Sequence, residues 1–441
     1  KLLLDLAVEY EDGTRERFVS DEKWKWSVGE ITWNDGWHGE DVDMRLAKPG
    51  WATAGYDDRR WKPVVPVVPP GGRLMAQMVP PIRVCETIKP AHVEEQNGVY
   101  TFTLPRLYSG WPRIETRGNR GSTITVTWGN ENRGTFTLSG NGTEVYEPKF
   151  CYEAIHKIRV SGLRHPPVDG TVVARAVRTD VATVGGFECS DAYLNQLHNT
   201  VCHTQLNYTY DFPQDPTREK CGWTQDVETM LEASAWNFDM KEIYRNWFKD
   251  FREAQNSEGC VNCCAPGDFN YAHLNGPWWG GMIVWGPWHH YQYYGDLRVL
   301  EENYGSMKRF VDFMSSKAGK DGVLGWGLGD WNCPGVKTPV AMTSTAAYSF
   351  YARIISNTAR LLGRKDDITT YAALSDRVRE RFNDRWLDRH TGCYMGNHQT
   401  VQVLAWSLDL VVPRERRWLV LGRLVDDITT RGYHLDTGFV G

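Results

Sequence analysis

The densest group of residues that could perform chemistry lies between residues 211 and 226, a stretch named the acid loop. It holds four carboxyl groups, one arginine and one tryptophan, namely Asp211, Asp215, Arg218, Glu219, Trp223 and Asp226. Pro213, Pro216 and Gly222 interrupt regular backbone structure. The stretch is therefore predicted to be a constrained loop that leads into a helix near Asp226. Such a loop would hold several carboxyl groups close together.

Carboxyl groups crowded on one loop suit the cleavage of a glycosidic bond, which needs such groups near the scissile oxygen. The proton donor must stay protonated near neutral pH, so anions or apolar groups nearby must raise its pKa. Asp215 and Asp226 flank Glu219 and can supply that charge, while Trp223 can stack on a sugar face. The same residue types also build salt-bridged helix caps, and spacing alone does not decide between the two interpretations.

The composition favours a carbohydrate over a nucleic acid or a membrane as the partner. The chain has 20 tryptophans, and many of them fall between Trp223 and Trp331. Indole faces suit the C–H-rich face of a pyranose, although each tryptophan could equally be a core residue. A net charge of −5 argues against nucleic acid or an anionic membrane surface. No run of 18 apolar residues is present, so no transmembrane helix is expected.

The cysteines do not predict a metal site. Cys260, Cys263 and Cys264 form a C-x2-C-C cluster, but no histidine pair follows at the spacing that zinc prefers. Buried thiols are favoured instead, and no metal or cofactor is expected. The sequence leaves the cellular compartment open, with a secreted or periplasmic location favoured over the alternatives.

The residue pattern changes near residue 180. Up to that point, short runs of β-branched and aromatic residues between glycine- and proline-rich turns predict β-sandwich modules, with strands over residues 99–104, 123–128, 156–160 and 171–176. From about Asp191 the apolar period becomes helical, and about nine helices are predicted. Antiparallel helices joined by short loops indicate a toroid or a bundle, in which functional residues lie on the loops.

The residues from Asp215 to Asp226 resemble the D-x-P-x-R-E-x-x-G-W-x-x-D signature of the bacterial α-L-rhamnosidases, glycoside hydrolase family 78, except that Asp215 and Pro216 are adjacent where the signature has one residue between them. Other segments resemble the same family in the same order along the chain: residues 50–64, 80–84, 276–280, 329–331 and 432–441. The resemblance therefore spans nearly the whole chain, and the ordered set is more specific than the single motif.

This resemblance implies a fold and an activity. The fold is N-terminal β-sandwich modules followed by an (α/α)6-type helical barrel, and the activity is hydrolysis of terminal α-L-rhamnosides with inversion. Glu219 matches the general acid, Asp215 and Asp226 match carboxylates that hold rhamnose hydroxyls, and Trp223 matches one side of the sugar pocket. Further expected substrate-binding residues are Arg218, Trp279, Asp330, Trp331 and His434. The implied domains are residues 1–68, an N-terminal β module; 69–183, a β-sandwich; and 184–441, the barrel.

One departure from the family concerns the general base. In the family it is a glutamate in a W-E-R-W-like segment beyond the motif at residues 432–441, and this sequence contains no W-E-R segment. Nine helices also fall short of the twelve that an (α/α)6 barrel needs. We therefore expect an incomplete barrel, with a C-terminal fragment of the same protein as a partner that supplies the base.

Two alternatives to a rhamnosidase remain open at this stage. A lyase acting on rhamnosyl-glucuronate linkages would need a base near C5 of the uronate, for which His289, His290 and Tyr271 are candidates. The two histidines can also be a helix surface pair. The other alternative is a non-catalytic sugar-binding protein built on the same barrel.

Overall fold

The computed structural model describes residues 2–69, 71–72, 74–130, 132–217, 219–267, 275–335, 337–395 and 397–441. The chain divides into two compact units. The first, named the β unit, comprises residues 1–77 and 83–178, and the second, named the helical unit, comprises residues 78–82 and 179–441. Two residues singled out by the sequence, Arg218 and Tyr271, lie outside the described residues.

The N-terminal part of the chain forms short strands joined by turns. They are β1 (Asp5–Glu9), β2 (Arg15–Val19), β3 (Lys25–Trp26), β4 (Ile31–Asp35), β5 (Gly39–Asp43), β6 (Lys62–Pro63), β7 (Ile82–Ile88), β8 (His92–Gln96), β9 (Val99–Thr116), β10 (Thr123–Trp128), β11 (Asn132–Thr137), β12 (Glu144–Tyr146), β13 (Glu153–Ser161) and β14 (Val172–Thr179). Among the described residues, the main sheet has the order β4-β5-β11-β10-β13-β9-β14-β7, and β8 and β12 also pair with β9. Strands β1 and β2 form a separate pair, as do β3 and β6.

Strand β10 shows why these segments adopt extended structure. Its sequence alternates threonine with Ile124, Val126 and Trp128, and those three side chains are buried. Successive side chains of a strand point to opposite faces, so this alternation gives the sheet one apolar face. The core of the β unit packs on that face and includes Phe136 and Ile155. The strands predicted over residues 99–104, 123–128, 156–160 and 171–176 are confirmed.

Strand β5 connects the first residues of the chain to the main sheet by pairing parallel to β11, with Val42 opposite Phe136. Gly39 begins this pairing at φ +126°, and a Cβ atom there would lie 1.8 Å from the Arg133 carbonyl oxygen. Only glycine fits such an approach. The β unit therefore joins strands from both sides of residue 68, and the boundary predicted at that position stays a prediction.

The helices of the helical unit follow β14 in the chain. Its helices are α1 (Ala192–Tyr208), α2 (Thr224–Glu228), α3 (Leu231–Asn237), α4 (Lys241–Ala254), α5 (Pro277–Gly280), α6 (Met282–Tyr294), α7 (Leu297–Lys317), α8 (Val340–Leu361), α9 (Lys365–Trp386), α10 (Gln399–Ser407) and α11 (Arg417–Thr430). Consecutive helices pack as hairpins, for example α6 on α7, α8 on α9 and α10 on α11. No described helix is both long and apolar enough to cross a membrane.

The helix ends follow the chemistry of their capping residues. Asp191 caps α1 by accepting from the backbone N–H groups of Tyr193 and Leu194, which have no partner within the helix. Gly295 and Gly363 follow the ends of α6 and α8 at φ +66° and +69°, as expected for glycines that stop a helix.

The nine predicted helices are found, with three differences in detail. The helix predicted near Asp226 is two helices, α2 and α3, separated by Thr229 and Met230. A short additional helix, α5, precedes α6. The last helix begins at Arg417, because a 3-10 turn at Arg414–Arg416 follows Pro413.

Candidate active site

The acid loop follows α1, which ends at Tyr208, and its last residues, from Thr224 onward, belong to α2. Thr209 pairs with Pro213 in a short antiparallel bridge, and the Gln214 N–H donates to the Tyr208 carbonyl at 3.0 Å. The chain therefore reverses direction directly after α1. Proline, which has no N–H and a fixed φ, prevents the helix from continuing through this reversal.

A turn within the loop carries Glu219. The Asp215 carboxylate accepts from the Thr217 N–H at 2.7 Å and from the Thr217 hydroxyl, and the Lys220 N–H donates to the Asp215 carbonyl at 3.1 Å. Lys220 takes a left-handed φ of +37° to close the turn. Glu219, in between, is half-buried and interacts with neighbouring groups. Asp215 therefore shapes the turn that presents Glu219, and its contact with a sugar hydroxyl stays a prediction.

The far end of the acid loop lies on residues 261–265, named the floor segment. Trp223 pairs antiparallel with Cys264, and the Ala265 N–H donates to the Gly222 carbonyl at 3.1 Å. A Cβ atom on Gly222 would lie 2.1 Å from the Ala265 carbonyl oxygen, so glycine alone allows this approach. The motif glycine is therefore required by packing between two backbones.

Two side chains fasten this junction to the helical core. The Thr224 hydroxyl lies 3.0 Å from the Cys263 carbonyl oxygen and 2.7 Å from that of Trp279. The Trp247 indole N–H donates to the Ala265 carbonyl at 2.6 Å, and this indole is completely buried. Because buried hydrogen bonds restrict local motion, the loop that bears Glu219 is held from the floor segment, α4 and α5 at once.

Asp215 and Asp226 both lie close enough to the Tyr208 hydroxyl group to raise its pKa. Burial, followed by the charges of Asp226 and Asp215, raises the pKa of Tyr208 well above its usual value. The Tyr208 hydroxyl therefore keeps its proton at physiological pH and can donate a hydrogen bond. The structure thus brings together two carboxylates that the sequence associated with Glu219.

The predicted aromatic residues occupy different environments. Trp223 is half-buried and packs on the helical core, which leaves part of its ring accessible. Trp279, predicted to line the sugar pocket, is only 3% exposed, and its neighbour Trp278 donates from its indole to the Thr343 carbonyl at 3.1 Å. A role for Trp279 toward the sugar stays a prediction.

Sequence reasoning missed Glu228, a buried carboxyl group two residues after Asp226. It is 7% exposed, and burial raises its pKa well above the ordinary value. The Gln225 amide, oriented by its hydrogen bonds, donates to Glu228 Oε2 at 2.9 Å and to the Trp278 carbonyl at 2.8 Å. No clear signal in the sequence marks it, because Glu228 stands among other polar and acidic residues, such as Gln225 and Asp226.

A cavity of about 150 Å³ adjoins Glu228. Gln225, Trp278, Phe439 and Val440 also line it. The cavity therefore places residues near the end of the chain beside the helix that follows the acid loop. Three of the segments that resemble the rhamnosidase family thus approach one another in space.

Asp330 holds the last of those segments in place. Its buried carboxylate accepts from the N–H groups of Gly438 and Val440, each at 3.0 Å, and from the Thr400 hydroxyl. The neighbouring Trp331 is 49% exposed, and its carbonyl accepts from the Phe439 N–H at 2.9 Å. Asp330 therefore anchors backbone in this structure, and the predicted contact of both residues with substrate stays a prediction.

His434 lies on the same C-terminal segment. Its side chain is exposed, and its carbonyl accepts from the Gln399 amide at 3.0 Å. With Arg431 and Asp436 it lines an open groove, and Arg431 forms an ion pair with Asp436 at 2.9 Å. Its expected role in substrate binding stays a prediction.

The histidines considered as lyase bases are buried and are not a helix surface pair. His289 stacks on Tyr293 with ring centroids 4.3 Å apart, and burial lowers its pKa to about 4. His290 lies 3.0 Å from the Lys241 carbonyl oxygen through Nε2 and is 1% exposed. Both side chains therefore have structural surroundings that leave little access for a uronate.

The cysteines of the C-x2-C-C cluster are buried thiols, as expected. Within the part of the chain that the structure describes, no group of three or more His, Cys, Asp or Glu side chains has an arrangement that could hold a metal ion.

Two protein-family models match the chain. The bacterial α-L-rhamnosidase six-hairpin glycosidase domain matches residues 182–441, and the α-L-rhamnosidase N-terminal domain matches residues 1–86. An α-L-rhamnosidase of Streptomyces avermitilis is 31% identical over 465 residues, which cover 100% of this chain and 44% of that protein. An α-L-rhamnosidase of Formosa agariphila is 27% identical and covers 99% of this chain and 50% of that protein.

Solved structures agree with the sequence matches. The α-L-rhamnosidase from Dictyoglumus thermophilum superposes with a TM-score of 0.93 at 32% identity, covering 99% of this chain and 52% of that chain. The Streptomyces avermitilis enzyme complexed with L-rhamnose superposes with a TM-score of 0.93 at 30% identity, covering 100% of this chain and 44% of that chain. The chain thus spans about half the length of these relatives, and the predicted β modules followed by an (α/α)6-type helical barrel are confirmed. Since the glycosidase-domain model covers more than half of its residues, the chain belongs to the bacterial α-L-rhamnosidase family.

Proposed function

We propose that this protein hydrolyses terminal α-L-rhamnosides by an inverting mechanism in which Glu219 is the general acid. The observation that carries the proposal is the frame around Glu219. Glu219 lies in a turn closed by Asp215, and the hydrogen bonds of Gly222 and Thr224 to the floor segment fix the backbone that follows this turn. A fixed carboxyl group is what proton transfer to a glycosidic oxygen requires.

The other groups of the acid loop would bind the sugar. Asp226 and Asp215 would accept hydrogen bonds from rhamnose hydroxyls, with Tyr208 as a neighbouring donor, and Trp223 would stack on the apolar face of the ring. L-Rhamnose is the proposed sugar because the similar Streptomyces avermitilis structure is complexed with it. Arg218, Trp279, Trp331 and His434 remain further candidates for substrate contact.

Inversion also needs a carboxylate about 6.5–9.5 Å from the acid to activate a water molecule. The relatives are about twice as long as this chain. We assign the general base to a C-terminal piece of the same protein, which would thus be its partner in catalysis.

The stereochemistry of the product tests this proposal directly. The full-length protein is incubated with methyl α-L-rhamnoside, and proton NMR follows the anomer of rhamnose that appears first. Inversion predicts β-L-rhamnose before mutarotation, and Glu219→Gln should prevent its appearance. Initial release of the α anomer would contradict inversion, and an unsaturated product absorbing in the near ultraviolet from a rhamnosyl-glucuronate substrate would show a lyase instead.

A further inference from the structure

A pair of thiols lies where the acid loop meets the floor segment and has no part in the proposed mechanism. The Sγ atoms of Cys221 and Cys264 are 3.8 Å apart. The two residues are 1% and 2% exposed, and both are free thiols. Cys221 belongs to the acid loop and Cys264 to the floor segment, so the contact joins two segments that are 43 residues apart in sequence.

The backbone around both cysteines is already fixed. Cys264 lies beside the pairing of Trp223 with the floor segment, and the Ala265 N–H donates to the Gly222 carbonyl at 3.1 Å. Cys221 immediately precedes Gly222, and Glu219 lies two residues before it. A bond between the sulfurs would therefore join two strands that hydrogen bonds already hold in register.

We infer that Cys221 and Cys264 are an oxidisable pair that closes into a disulfide and fastens the acid loop to the floor segment. A disulfide has an S–S distance of about 2.05 Å, so the sulfurs must approach by a little under 2 Å. Rotation about the Cα–Cβ bonds covers such a distance without moving the paired backbone.

The oxidant is hydrogen peroxide, which reaches the thiols when the acid loop opens. One thiolate attacks a peroxide oxygen, so that its sulfur becomes a sulfenic acid and hydroxide leaves. The other thiol attacks that sulfur, the S–S bond forms, and water leaves. Two thiols and one peroxide thus give one disulfide and two water molecules, with the sulfurs losing the two electrons that the peroxide gains.

The environment of the pair makes this reaction slow in the folded protein. Hydrogen bonds with Cys221 and Cys263, together with burial, raise the pKa of Cys264. The thiolate is the reactive form, so oxidation should follow the rare openings of the acid loop. Cys263 is the competing partner, but a bond between the adjacent residues Cys263 and Cys264 would strain the peptide between them.

Disulfide mapping on the full-length protein tests the inference without any substitution. The protein is treated with hydrogen peroxide, unfolded in iodoacetamide and digested without reduction, and tandem mass spectrometry identifies the linked cysteines. The expected result is a Cys221–Cys264 link that dithiothreitol removes. Because a link across this loop constrains the unfolded chain, the oxidised protein should melt roughly 5 °C or more above the reduced protein.

Three variants separate the pair from its neighbours. Cys221→Ala and Cys264→Ala should abolish the peroxide-dependent rise in melting temperature. Cys260→Ala is the matched control, since Cys260 is a buried cysteine four residues before Cys264 in sequence and its sulfur lies near the Asn275 amide; this variant should keep the rise. Alkylated Cys221 and Cys264 after peroxide treatment, or a Cys263–Cys264 link instead, would overturn the inference even if the variants fail to fold.

Discussion

At the scale of single residues, the site depends on side chains that hold backbone as much as on those that would meet a sugar. Gly222 lets the acid loop touch the floor segment, and Thr224 and Trp247 hold that junction from two directions. Glu219 is three residues before Gly222. A small displacement at Gly222 therefore moves the carboxyl group that is proposed to transfer the proton.

Gly222→Ala should separate the acid loop from the floor segment. The added methyl group would lie 2.1 Å from the Ala265 carbonyl oxygen and 3.1 Å from the Phe212 ring, and the Trp247 indole N–H holds that carbonyl in place. We expect kcat/KM for a rhamnoside to fall by about 100-fold, the scale for a displacement near 1 Å. Gly325→Ala is the control, because a Cβ there meets nothing within 4 Å. Equal kinetics for both variants would contradict the proposed frame.

At the scale of elements, the C-terminal segment is positioned by a contact between residues far apart in sequence. Asp330 follows α7 by a long loop, yet its carboxylate holds Gly438 and Val440, which follow α11. Val440 in turn lines the cavity beside Gln225 and Glu228 on α2. Asp330 therefore links the loop after α7 to the helix that follows the acid loop.

Asp330→Asn should destabilise the helical unit. The new asparagine side chain keeps one acceptor oxygen but turns its NH2 group toward a backbone N–H. At least one buried charge-assisted hydrogen bond is therefore lost. We expect the free energy of unfolding to fall by about 2–4 kcal/mol, as measured by urea denaturation. Asp388→Asn removes an exposed carboxylate that also accepts from two backbone N–H groups, and it should cost less than about 1 kcal/mol. Similar losses for the two variants would show that burial of Asp330 has no energetic consequence.

Local features of the sequence predicted the elements, whereas contacts across the sequence required the structure. The helical periodicity located the helices, and the glycines and prolines located the acid loop, because each depends on neighbouring residues. The floor segment could not be predicted, since residues 261–265 carry no signal that they pair with Gly222. The backbone partners of Asp330 could not be predicted either, because they lie more than 100 residues away in sequence.

At the scale of the whole molecule, one buried carboxyl group couples folding to pH. Burial raises the pKa of Glu228 above its ordinary value of 4.5. Above about pH 4.5 the unfolded chain loses this proton while the folded protein retains it. The folded state then binds more protons than the unfolded state, so the free energy of unfolding decreases as the pH rises. The contribution of Glu228 to the free energy of unfolding is complete below about pH 4.5. It disappears as the pH rises through the pKa of Glu228 in the folded state.

Glu228→Gln should reduce this pH dependence. The glutamine has the shape of the protonated acid and carries no charge, so it can keep the contact with Gln225 at every pH. Urea denaturation between pH 5 and pH 8 should show a smaller loss of stability for the variant than for the unchanged protein. Glu301→Gln, at an exposed position, is the control and should leave the slope unchanged. An unchanged slope for Glu228→Gln would show that Glu228 is ionised in the folded protein.

The dependence of Glu219→Gln on the leaving group tests the central claim most directly. A general acid matters most when the leaving oxygen is a poor leaving group, because that oxygen needs the proton to depart. The kinetics of the full-length protein and the variant are compared with methyl α-L-rhamnoside and with 2,4-dinitrophenyl α-L-rhamnoside. We predict that kcat falls by about 10³–10⁴-fold for the methyl glycoside and by about 10-fold or less for the dinitrophenyl glycoside. Equal losses on the two substrates, or an unchanged rate on either, would contradict the assignment of Glu219 as the proton donor.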